Sequence, residues 1–477
     1  MALRSSHEIP LSGAFAFLVI CLFTLNIVSA STTRPKGFSL NLIPKYAKGS
    51  PMHQISNLTE EEMYEKILKL SYDRAYRLSS ELSYYAIKNR ETTNISTYPE
   101  ELQPDVRIAF DSLYVVELKI GTPPQQFYLD FDSGSDLTWV QCAGCTKCFP
   151  VRNGDYEYSQ SSTYEYSTCQ SSICTPQICE MNKCLYEIGY GDGITKGVYL
   201  NDDFSFFSPN APDNIVTYSG LSFGCSLNTT FHWGGDNDGP ANVIAGIFGM
   251  GRGPKSFMSS KSEDDTFGKF SYCLKRWFES VEGSLSGRIT FGDDISFPGG
   301  SDVRSTPMVG SETELGHAVT YYYVNCIDIS VGGVKLNLPP ETFRLKPNGS
   351  GMILDTGSAI TYIYRDVYNR MEAQIKQFLS RYNLQPWQGV GKLSGMLCYV
   401  RPVSFQASDL PTLTFHFDGA DFDPAPEAVF LLLDDHFCLE IVPTDGALSI
   451  VGSYTQSGHQ FVHDIPEGKI SFAKANC

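Results

Sequence analysis

The sequence contains Tyr128-Leu-Asp-Phe-Asp132-Ser-Gly-Ser135 and, much later, Gly351-Met-Ile-Leu-Asp355-Thr-Gly-Ser358. In each stretch a largely apolar run, typical of a buried strand, ends on an aspartate. Each is followed downstream by an apolar element with glycine, Ala245-Gly-Ile-Phe-Gly-Met-Gly251 and Leu448-Ser-Ile-Val-Gly452. Because the same order occurs twice, the sequence predicts two lobes that arose by duplication and are related by a pseudo-twofold axis.

The repeated aspartates, Asp132 and Asp355, are the candidate catalytic pair. Two carboxylates that meet across a twofold axis cannot both ionise, so they share a proton and titrate as a coupled pair. The ionised member can take a proton from water while the protonated member polarises a carbonyl group. This chemistry requires no metal and no other cofactor. Glycine permits the turn, and hydroxyl and N–H groups can orient the carboxylates; the supporting residues are then Ser133, Gly134, Ser135, Thr356, Gly357 and Ser358.

Composition predicts a mostly β fold. A chain of 477 residues is too long for one ordinary core, and its 13% aromatic residues, 41 Gly and 26 Pro favour strands and turns. A strand is expected at Tyr114–Ile120 and a helix within residues 366–382. We expect an N-terminal lobe over residues 106–300 and a C-terminal lobe over 301–477, with a hinge near residues 298–302.

The N-terminal region is expected to be removed in two steps. Residues 1–30 have the apolar run and the small-residue end of a signal peptide, with cleavage after Ala30. Residues 31–105 are predicted to be a propeptide. Within it, Thr59 and Glu62 have the spacing of a capping box, and a helical pattern with a net positive charge follows. The predicted location is therefore extracellular or apoplastic, with the vacuole as an alternative.

Charge excludes one class of partner. Residues 1–105 carry as many basic as acidic side chains, so the net charge of −17 belongs to the remaining residues. An acidic surface of this kind argues against nucleic acid and fits a protein that works in acid. It also predicts that the basic propeptide helix is held over the acidic cleft and released as the pH falls.

Two longer motifs resemble the pepsin-like aspartic proteases and, within them, the plant nepenthesin-like (atypical plant aspartic protease) group. They are Ile120-Gly-Thr-Pro-Pro-Gln-Gln126 and Asp132-Ser-Gly-Ser-Asp-Leu-Thr-Trp-Val-Gln-Cys142. The resemblance covers essentially the whole chain after the signal peptide. It implies the two-lobed pepsin-like fold and an aspartic-type endopeptidase that hydrolyses peptide bonds at acid pH. By the same resemblance, Tyr190 in Tyr186-Glu-Ile-Gly-Tyr190-Gly-Asp-Gly193 closes over substrate, and Trp139 supports this flap.

Cysteines agree with export. Fourteen are present, and in an oxidising compartment they indicate disulfides rather than a metal site, despite the Cys-x2-Cys-x2-Cys spacing from Cys142. The resemblance implies the pairs Cys142–Cys145, Cys148–Cys225, Cys169–Cys184, Cys174–Cys179, Cys273–Cys477 and Cys398–Cys438. Cys326 then has no partner and is expected to be a buried thiol, with pairing between molecules as the alternative. Sequons predict glycosylation at Asn57, Asn94, Asn228 and Asn348.

Other protein classes fit less well. A serine hydrolase is disfavoured because Phe131, not Gly, stands two residues before Ser133. A zinc protease lacks His-Glu-x-x-His, and His459 and His463 lie in an apparent strand, where their spacing does not make a ligand face. The serious alternative is a catalytically inactive homologue that binds or inhibits other proteins. We expect a monomer without a membrane anchor, whose partner is a polypeptide substrate.

Overall fold

The computed structural model describes residues 37–47, 49–51, 59–88, 113–190, 193–230, 242–259, 261–262, 265–266, 268–275, 287–310, 320–387 and 395–477. The predicted signal peptide, the sequons at Asn57 and Asn94, and the expected propeptide cleavage region between Arg90 and Ser112 lie outside these residues. Asn228 lies half-buried in a strand, and Asn348 lies in an exposed turn. No helix within the described ranges is long and apolar enough to cross a membrane.

The described residues form mostly β-structure. The strands of the first part are β1 (Gly37–Pro44), β2 (Tyr114–Ile120), β3 (Gln125–Asp132), β4 (Trp139–Gln141), β5 (Glu165–Tyr166), β6 (Cys179–Glu180), β7 (Lys183–Tyr190), β8 (Gly193–Phe207), β9 (Ile215–Thr229), β10 (Ile244–Gly249), β11 (Lys261–Ser262), β12 (Asp265–Thr266), β13 (Lys269–Cys273) and β14 (Gly287–Gly292). Those of the second part are β15 (Arg304–Pro307), β16 (Tyr322–Val324), β17 (Cys326–Val331), β18 (Val334–Lys335), β19 (Gly351–Leu354), β20 (Thr361–Tyr364), β21 (Cys398–Val400), β22 (Leu413–Phe417), β23 (Ala420–Phe422), β24 (Phe430–Leu432), β25 (His436–Leu439), β26 (Ile441–Thr444), β27 (Leu448–Val451), β28 (His459–Asp464) and β29 (Lys469–Lys474). The α-helices are α1 (Glu60–Lys88), α2 (Arg365–Leu379) and α3 (Ser453–Gln456).

The same five-strand motif occurs in both halves, as the internal repeat predicts. In the first half the order is β2-β3-β10-β4-β9, and in the second it is β16-β19-β27-β20-β26. In both motifs the second and third strands are parallel, the third and fourth antiparallel, and the fourth and fifth parallel. The two aspartates therefore end equivalent strands, since Asp132 closes β3 and Asp355 follows β19.

A large sheet connects the halves. Its order runs β15-β29-β28-β13-β14-β1 and continues through β2 into the first five-strand motif. Strands from the second half of the chain thus hydrogen-bond to β13, for example through Tyr272 opposite Phe461. The disulfide Cys273–Cys477 fastens the chain end beside this junction.

The predicted propeptide is built into this body through a strand and a helix. Strand β1 lies inside the large sheet, paired with β14 on one side and β2 on the other. Every residue of β1 except Asn41 is buried, Phe38, Leu40 and Leu42 among them, so the strand is covered on both faces. Sequence analysis predicts only helix in this region, so β1 is an addition to that prediction.

Helix α1 begins at the capping box that the sequence predicts. The Thr59 N–H donates to Glu62 Oε2 at 2.8 Å, and the Glu62 N–H donates to Thr59 Oγ1 at 3.2 Å. Two basic side chains of the helix, Arg74 and Arg77, are buried. In contrast, Tyr72 exposes more than half of its surface and Tyr76 exposes about half. A helix with buried arginines requires acidic or carbonyl partners in the body.

Four of the predicted disulfide pairs are wrong in partner. Cys142 pairs with Cys225, Cys145 with Cys148, Cys169 with Cys179, and Cys174 with Cys184. The first correction follows from strand register: β4 runs parallel to β9 with Val140 opposite Cys225, which brings the Cα atoms of Cys142 and Cys225 within 5.5 Å. The pairs Cys273–Cys477 and Cys398–Cys438 form as expected. Cys326 is unpaired and buried, and burial raises the pKa of its thiol.

Candidate active site

Strand geometry brings the two aspartates to the centre of the molecule. Asp132 lies opposite Gly249 of the parallel strand β10, and the Asp355 N–H donates to the Val451 carbonyl at the end of the parallel strand β27. Both carboxylates are buried, with 0% and 1% of the residue surface exposed. Parallel pairing leaves both side chains at the carboxyl ends of their strands, where the two motifs meet.

Short-range hydrogen bonds orient each carboxylate. The Gly134 N–H donates to Asp132 Oδ1 at 2.8 Å, and the Gly357 N–H donates to Asp355 Oδ1 at 3.3 Å. Ser358 adds its N–H at 3.1 Å and its hydroxyl at 2.7 Å to Asp355 Oδ2. The two sites are not identical, since the buried Ser135 Oγ has no hydrogen-bond partner among the described residues.

The second residues of the two motifs connect the lobes. Ser133 Oγ lies 3.0 Å from Thr356 Oγ1 and accepts the Thr356 N–H at 3.1 Å. Ser133 Oγ also donates to Asp355 Oδ1 at 3.4 Å. A hydroxyl at position 133 therefore supplies the same cross-link that threonine would supply, because only the Oγ atom takes part.

Arg74 of helix α1 binds both aspartates. Its Nη2 lies 2.5 Å from Asp132 Oδ1 and 2.7 Å from Asp355 Oδ1, while its Nε donates to Asp355 Oδ2 at 2.7 Å. Gly357 makes room for this group, because a Cβ at that position would lie 2.1 Å from the Arg74 Cζ. One nitrogen atom bonded to both carboxylates occupies the space that a water molecule between them would need.

Arg74 and Asp355 shift each other's pKa values. Burial opposes ionisation of Asp355, but the Arg74 charge and the hydrogen bonds from Arg74, Ser358 and Gly357 hold its pKa below the ordinary value. Burial likewise opposes the charge on Arg74, and the two aspartates outweigh it and raise the Arg74 pKa. The ion pair thus favours the ionised form of Asp355, in which this carboxyl group cannot act as an acid.

The β7–β8 hairpin carries the predicted flap residue. Tyr190 ends β7 opposite Gly193 and is buried in a cluster of side chains that also contains Trp139 and Tyr186. Burial and the Asp132 charge raise the pKa of the Tyr190 hydroxyl, so this group stays protonated. The structure therefore brings Tyr190, Trp139 and Asp132 into one region, as the resemblance implies.

Asp136, four residues after the first dyad member, was not singled out by sequence analysis. It accepts the Gly253 N–H at 2.9 Å and the Thr320 hydroxyl at 3.0 Å, and so connects three segments beside the dyad. Burial is the main cause that raises its pKa to about 6, and the Asp132 charge contributes.

Arg74 was also missed, although the sequence carries a signal for it. Ile67, Ser71, Arg74 and Leu78 recur at helical spacing and form one buried stripe on α1. An arginine within such a buried stripe is expensive to bury unless a counter-charge lies opposite. Reading that stripe together with the two aspartates predicts the contact.

The structure shows where the residues considered for a serine hydrolase and for a zinc protease lie. Gly-x-Ser-x-Gly does occur at residues 220–224, but this segment lies inside β9, and its Ser222 hydroxyl donates to Asn201 Oδ1. A nucleophile elbow requires a strand-to-helix turn instead.

The two histidines with zinc-like spacing, His459 and His463, both lie in strand β28. Burial lowers the pKa of each, that of His463 to about 3. The His463 ring stacks on Phe270.

Comparison with known proteins agrees with this fold. Residues 114–293 match the family described as xylanase inhibitor N-terminal, and residues 321–474 match xylanase inhibitor C-terminal. Aspartic proteinase nepenthesin-1 of Nepenthes gracilis is 30% identical over 434 residues, which span 88% of this chain and 87% of that protein. Two crystal structures share the fold. That of edgp has a TM-score of 0.58 and 16% identity, and the match covers 78% of this chain and 92% of that one. That of basic 7S globulin from soybean has a TM-score of 0.56 and 18% identity, and the match covers 76% of this chain and 93% of that one.

The two-lobed β fold with paired aspartates is that of the pepsin-like proteins, so the fold prediction is confirmed. The chain belongs to the family of pepsin-like plant aspartic proteases that includes the nepenthesins.

Proposed function

We propose that this chain is the exported precursor of an acid-acting aspartic endopeptidase, in which helix α1 blocks the catalytic pair until it is removed. The observation that carries the proposal is the contact of one arginine, Arg74, with both Asp132 and Asp355. A buried guanidinium is retained at this position only if its two anionic partners are there to hold it. Export is supported by the signal-peptide pattern and by the six disulfides.

Departure of Arg74 converts the site to its working form. Without the guanidinium, two buried carboxylates share one proton, because close like charges cannot both remain ionised. The ionised carboxylate takes a proton from a water molecule bound between them, and that water attacks the substrate carbonyl carbon. The protonated carboxyl donates to the carbonyl oxygen, and collapse of the tetrahedral intermediate breaks the C–N bond as the amine takes up a proton.

Three further contacts hold the propeptide in place. Lys45 Nζ lies 2.9 Å from Asp130 Oδ1, and both side chains are fully buried. Tyr64 donates to Glu440 Oε1 at 2.7 Å, and Ser71 Oγ accepts the Ala359 N–H at 3.1 Å. Two of these three contacts, those with Asp130 and Glu440, are made with carboxylates of the body.

A binding-only homologue is the alternative, and the site argues against it. A protein that merely binds needs neither paired, oriented carboxylates nor a group that neutralises them. Asp132, Asp355 and Tyr190 are all present, with hydrogen bonds that orient both carboxylates.

The test is proteolysis by the purified precursor over graded pH. Wild-type protein is expected to acquire a new N-terminus between residues 90 and 112 in acid and then to cleave denatured protein. Asp132→Asn and Asp355→Asn are expected to fold normally and to lose activity by several orders of magnitude, because each carboxyl group has a role that the other cannot fill. Near-full activity in a folded Asp355→Asn variant would refute the assignment.

A further inference from the structure

A groove of about 400 Å³ lies at the start of helix α2. Its walls come from the segment 338–350 that precedes β19, from residues 364–370 and from the loop between β26 and β27. Cavities of this volume are typical of sites for small molecules. Neither catalytic aspartate lines this α2 groove, so it is separate from the candidate active site.

The start of α2 provides backbone donors. The helix has 15 residues and begins at Arg365, and no side chain of the described residues caps it. The first N–H groups of a helix have no partner inside the helix, and together they carry a partial positive charge. Two residues of this first turn, Asp366 and Val367, line the α2 groove. The end of the helix that attracts anions therefore borders the groove.

A buried hydroxyl group lies in the same groove. Ser350 lines it and is 8% exposed. The main chain of Ser350 is engaged, since its N–H donates to Asn348 Oδ1 at 3.2 Å and its carbonyl accepts the Lys346 N–H at 2.9 Å. Its hydroxyl has no hydrogen-bond partner among the described residues. Because an unpaired buried hydroxyl costs free energy, an oxygen atom of a ligand in the groove would be a favourable acceptor.

The charged side chains of the groove favour an anion. Lys346 and Arg370 line it, and neither forms an ion pair within the part of the chain that the structure describes. Arg365, at the same helix start, is already bound to Asp445 at 2.7 and 2.6 Å. Asp366 is the opposing carboxylate in the lining, so two cations against one anion leave a positive charge. The whole chain has a net charge of −17, so the groove has the opposite sign.

The rest of the lining includes apolar side chains. Leu338 and Val367 are buried, and Ala447 lies in the loop between β26 and β27. Apolar side chains gain little from a bare ion, because such an ion covers none of their surface. The combination suits a molecule that has an anionic group at one end and a body that packs on these side chains.

We propose that the α2 groove binds a small molecule that carries a phosphate or carboxylate group on a body the size of a sugar ring. The Ser350 hydroxyl and the first-turn N–H groups of α2 donate to its oxygen atoms, and Lys346 and Arg370 neutralise its charge. The body of the ligand packs on Leu338 and Val367. The groove takes no part in peptide-bond hydrolysis, so this inference does not depend on the proposed function.

Isothermal titration calorimetry of the purified precursor at pH 7 tests the proposal. Glucose 6-phosphate and galacturonate present a phosphate and a carboxylate on similar rings, and each identifies its own anionic group if it binds. Inorganic phosphate is the anion alone, and glucose is the uncharged ring. We expect saturable binding of at least one ring anion with a Kd of about 1 mM, and a Kd about tenfold higher for inorganic phosphate and for glucose.

Substitutions of the charged residues locate the anion. Lys346→Met and Arg370→Met are each expected to raise the Kd about tenfold, because each removes a charged donor. Asp366→Asn removes the opposing charge and is expected to lower the Kd about threefold, an effect that damage to the fold cannot produce. Lys335→Met removes an exposed lysine that does not line the groove, so it should bind as wild type does.

The hydroxyl group is tested by Ser350→Ala, which is expected to raise the Kd about fivefold. This substitution also removes the sequon at Asn348, so Asn348→Ser is its matched control. Asn348→Ser removes the same sequon, keeps an oxygen that can accept the Ser350 N–H, and leaves the Ser350 hydroxyl in place. It should therefore bind as wild type does.

Three results would overturn the proposal. The first is the absence of saturable binding of both ring anions. The second is equal affinity for glucose and for the ring anions, because the groove would then not recognise charge. The third is wild-type affinity in both Lys346→Met and Arg370→Met, which would place the anion elsewhere. None of these measurements requires proteolysis, so failure here leaves the proposed function untouched.

Discussion

Replacement of Arg74 by methionine tests how the precursor is kept inactive. The substitution preserves most of the side-chain length and removes the guanidinium, which makes three hydrogen bonds to two buried carboxylates. Loss of one partner from a buried ion pair typically costs 3–5 kcal/mol. The dyad can relieve part of this cost by sharing a proton, so we expect about 3 kcal/mol less stability for the closed precursor.

This free energy converts into a shift of the activation pH. The Asp355 pKa is depressed in the closed form, so its stabilising contribution is present above the ordinary carboxyl pKa of about 4 and is lost as the pH falls below it. Wild-type precursor should therefore open below about pH 4. If opening takes up one proton, each pH unit is worth 1.36 kcal/mol, and 3 kcal/mol moves the midpoint upward by about 2 pH units.

The assay follows loss of intact precursor at graded pH and at two protein concentrations. A rate independent of concentration identifies cleavage within one molecule. Arg74→Lys, which keeps the charge and loses the fork of donors, should fall between the two proteins. Lys69→Met alters an exposed lysine on the same helix and should match wild type. A folded Arg74→Met precursor with the wild-type midpoint would refute the reasoning.

Two other predictions concern buried groups. Asp136→Asn should stabilise the precursor more at pH 7 than at pH 5. The difference between the two stabilisations, measured as the free energy of unfolding in denaturant, should be about 1 kcal/mol. The Asp136 pKa is raised to about 6, so the contribution of this group to stability is full at low pH and is lost as the pH rises. Because Asp136 is only partly buried, solvent reduces the size of the effect. An equal effect at both pH values would contradict this. Cys326 should give one reactive thiol per chain only after denaturation, because it is unpaired and buried; labelling of native protein would show that it is accessible.

Local patterns predicted much of the fold. The capping box at Thr59 and Glu62 marks the start of α1, and strand β2 has the bounds that alternation indicates. The repeated Asp-x-Gly-Ser motif predicted two equivalent lobes because each copy is followed downstream by the same kind of apolar element with glycine. The capping box and the alternation of β2 each depend only on residues that are close together in the sequence.

Long-range contacts account for what was missed. The partner of Cys142 depends on the parallel register of β4 and β9, and cysteine spacing carries no information about that register. Strand β1 looks like an isolated apolar segment until β14 and β2 are placed on either side of it. Arg74 likewise acquires its meaning only from two aspartates that are distant in sequence and adjacent in space.

The position of β1 also governs how the polypeptide can be assembled. Gly37 pairs with Gly292, so β1 cannot complete its pairing until β14 has been synthesised. At 5–20 residues per second, that wait lasts roughly 10–50 s, during which both edges of an apolar strand can pair with other chains. Phe38, Leu40 and Leu42, which are buried in the folded protein, therefore stay exposed during this part of synthesis. A truncated chain that starts after α1 never makes this strand, and its sheet has a gap between β14 and β2 from the outset.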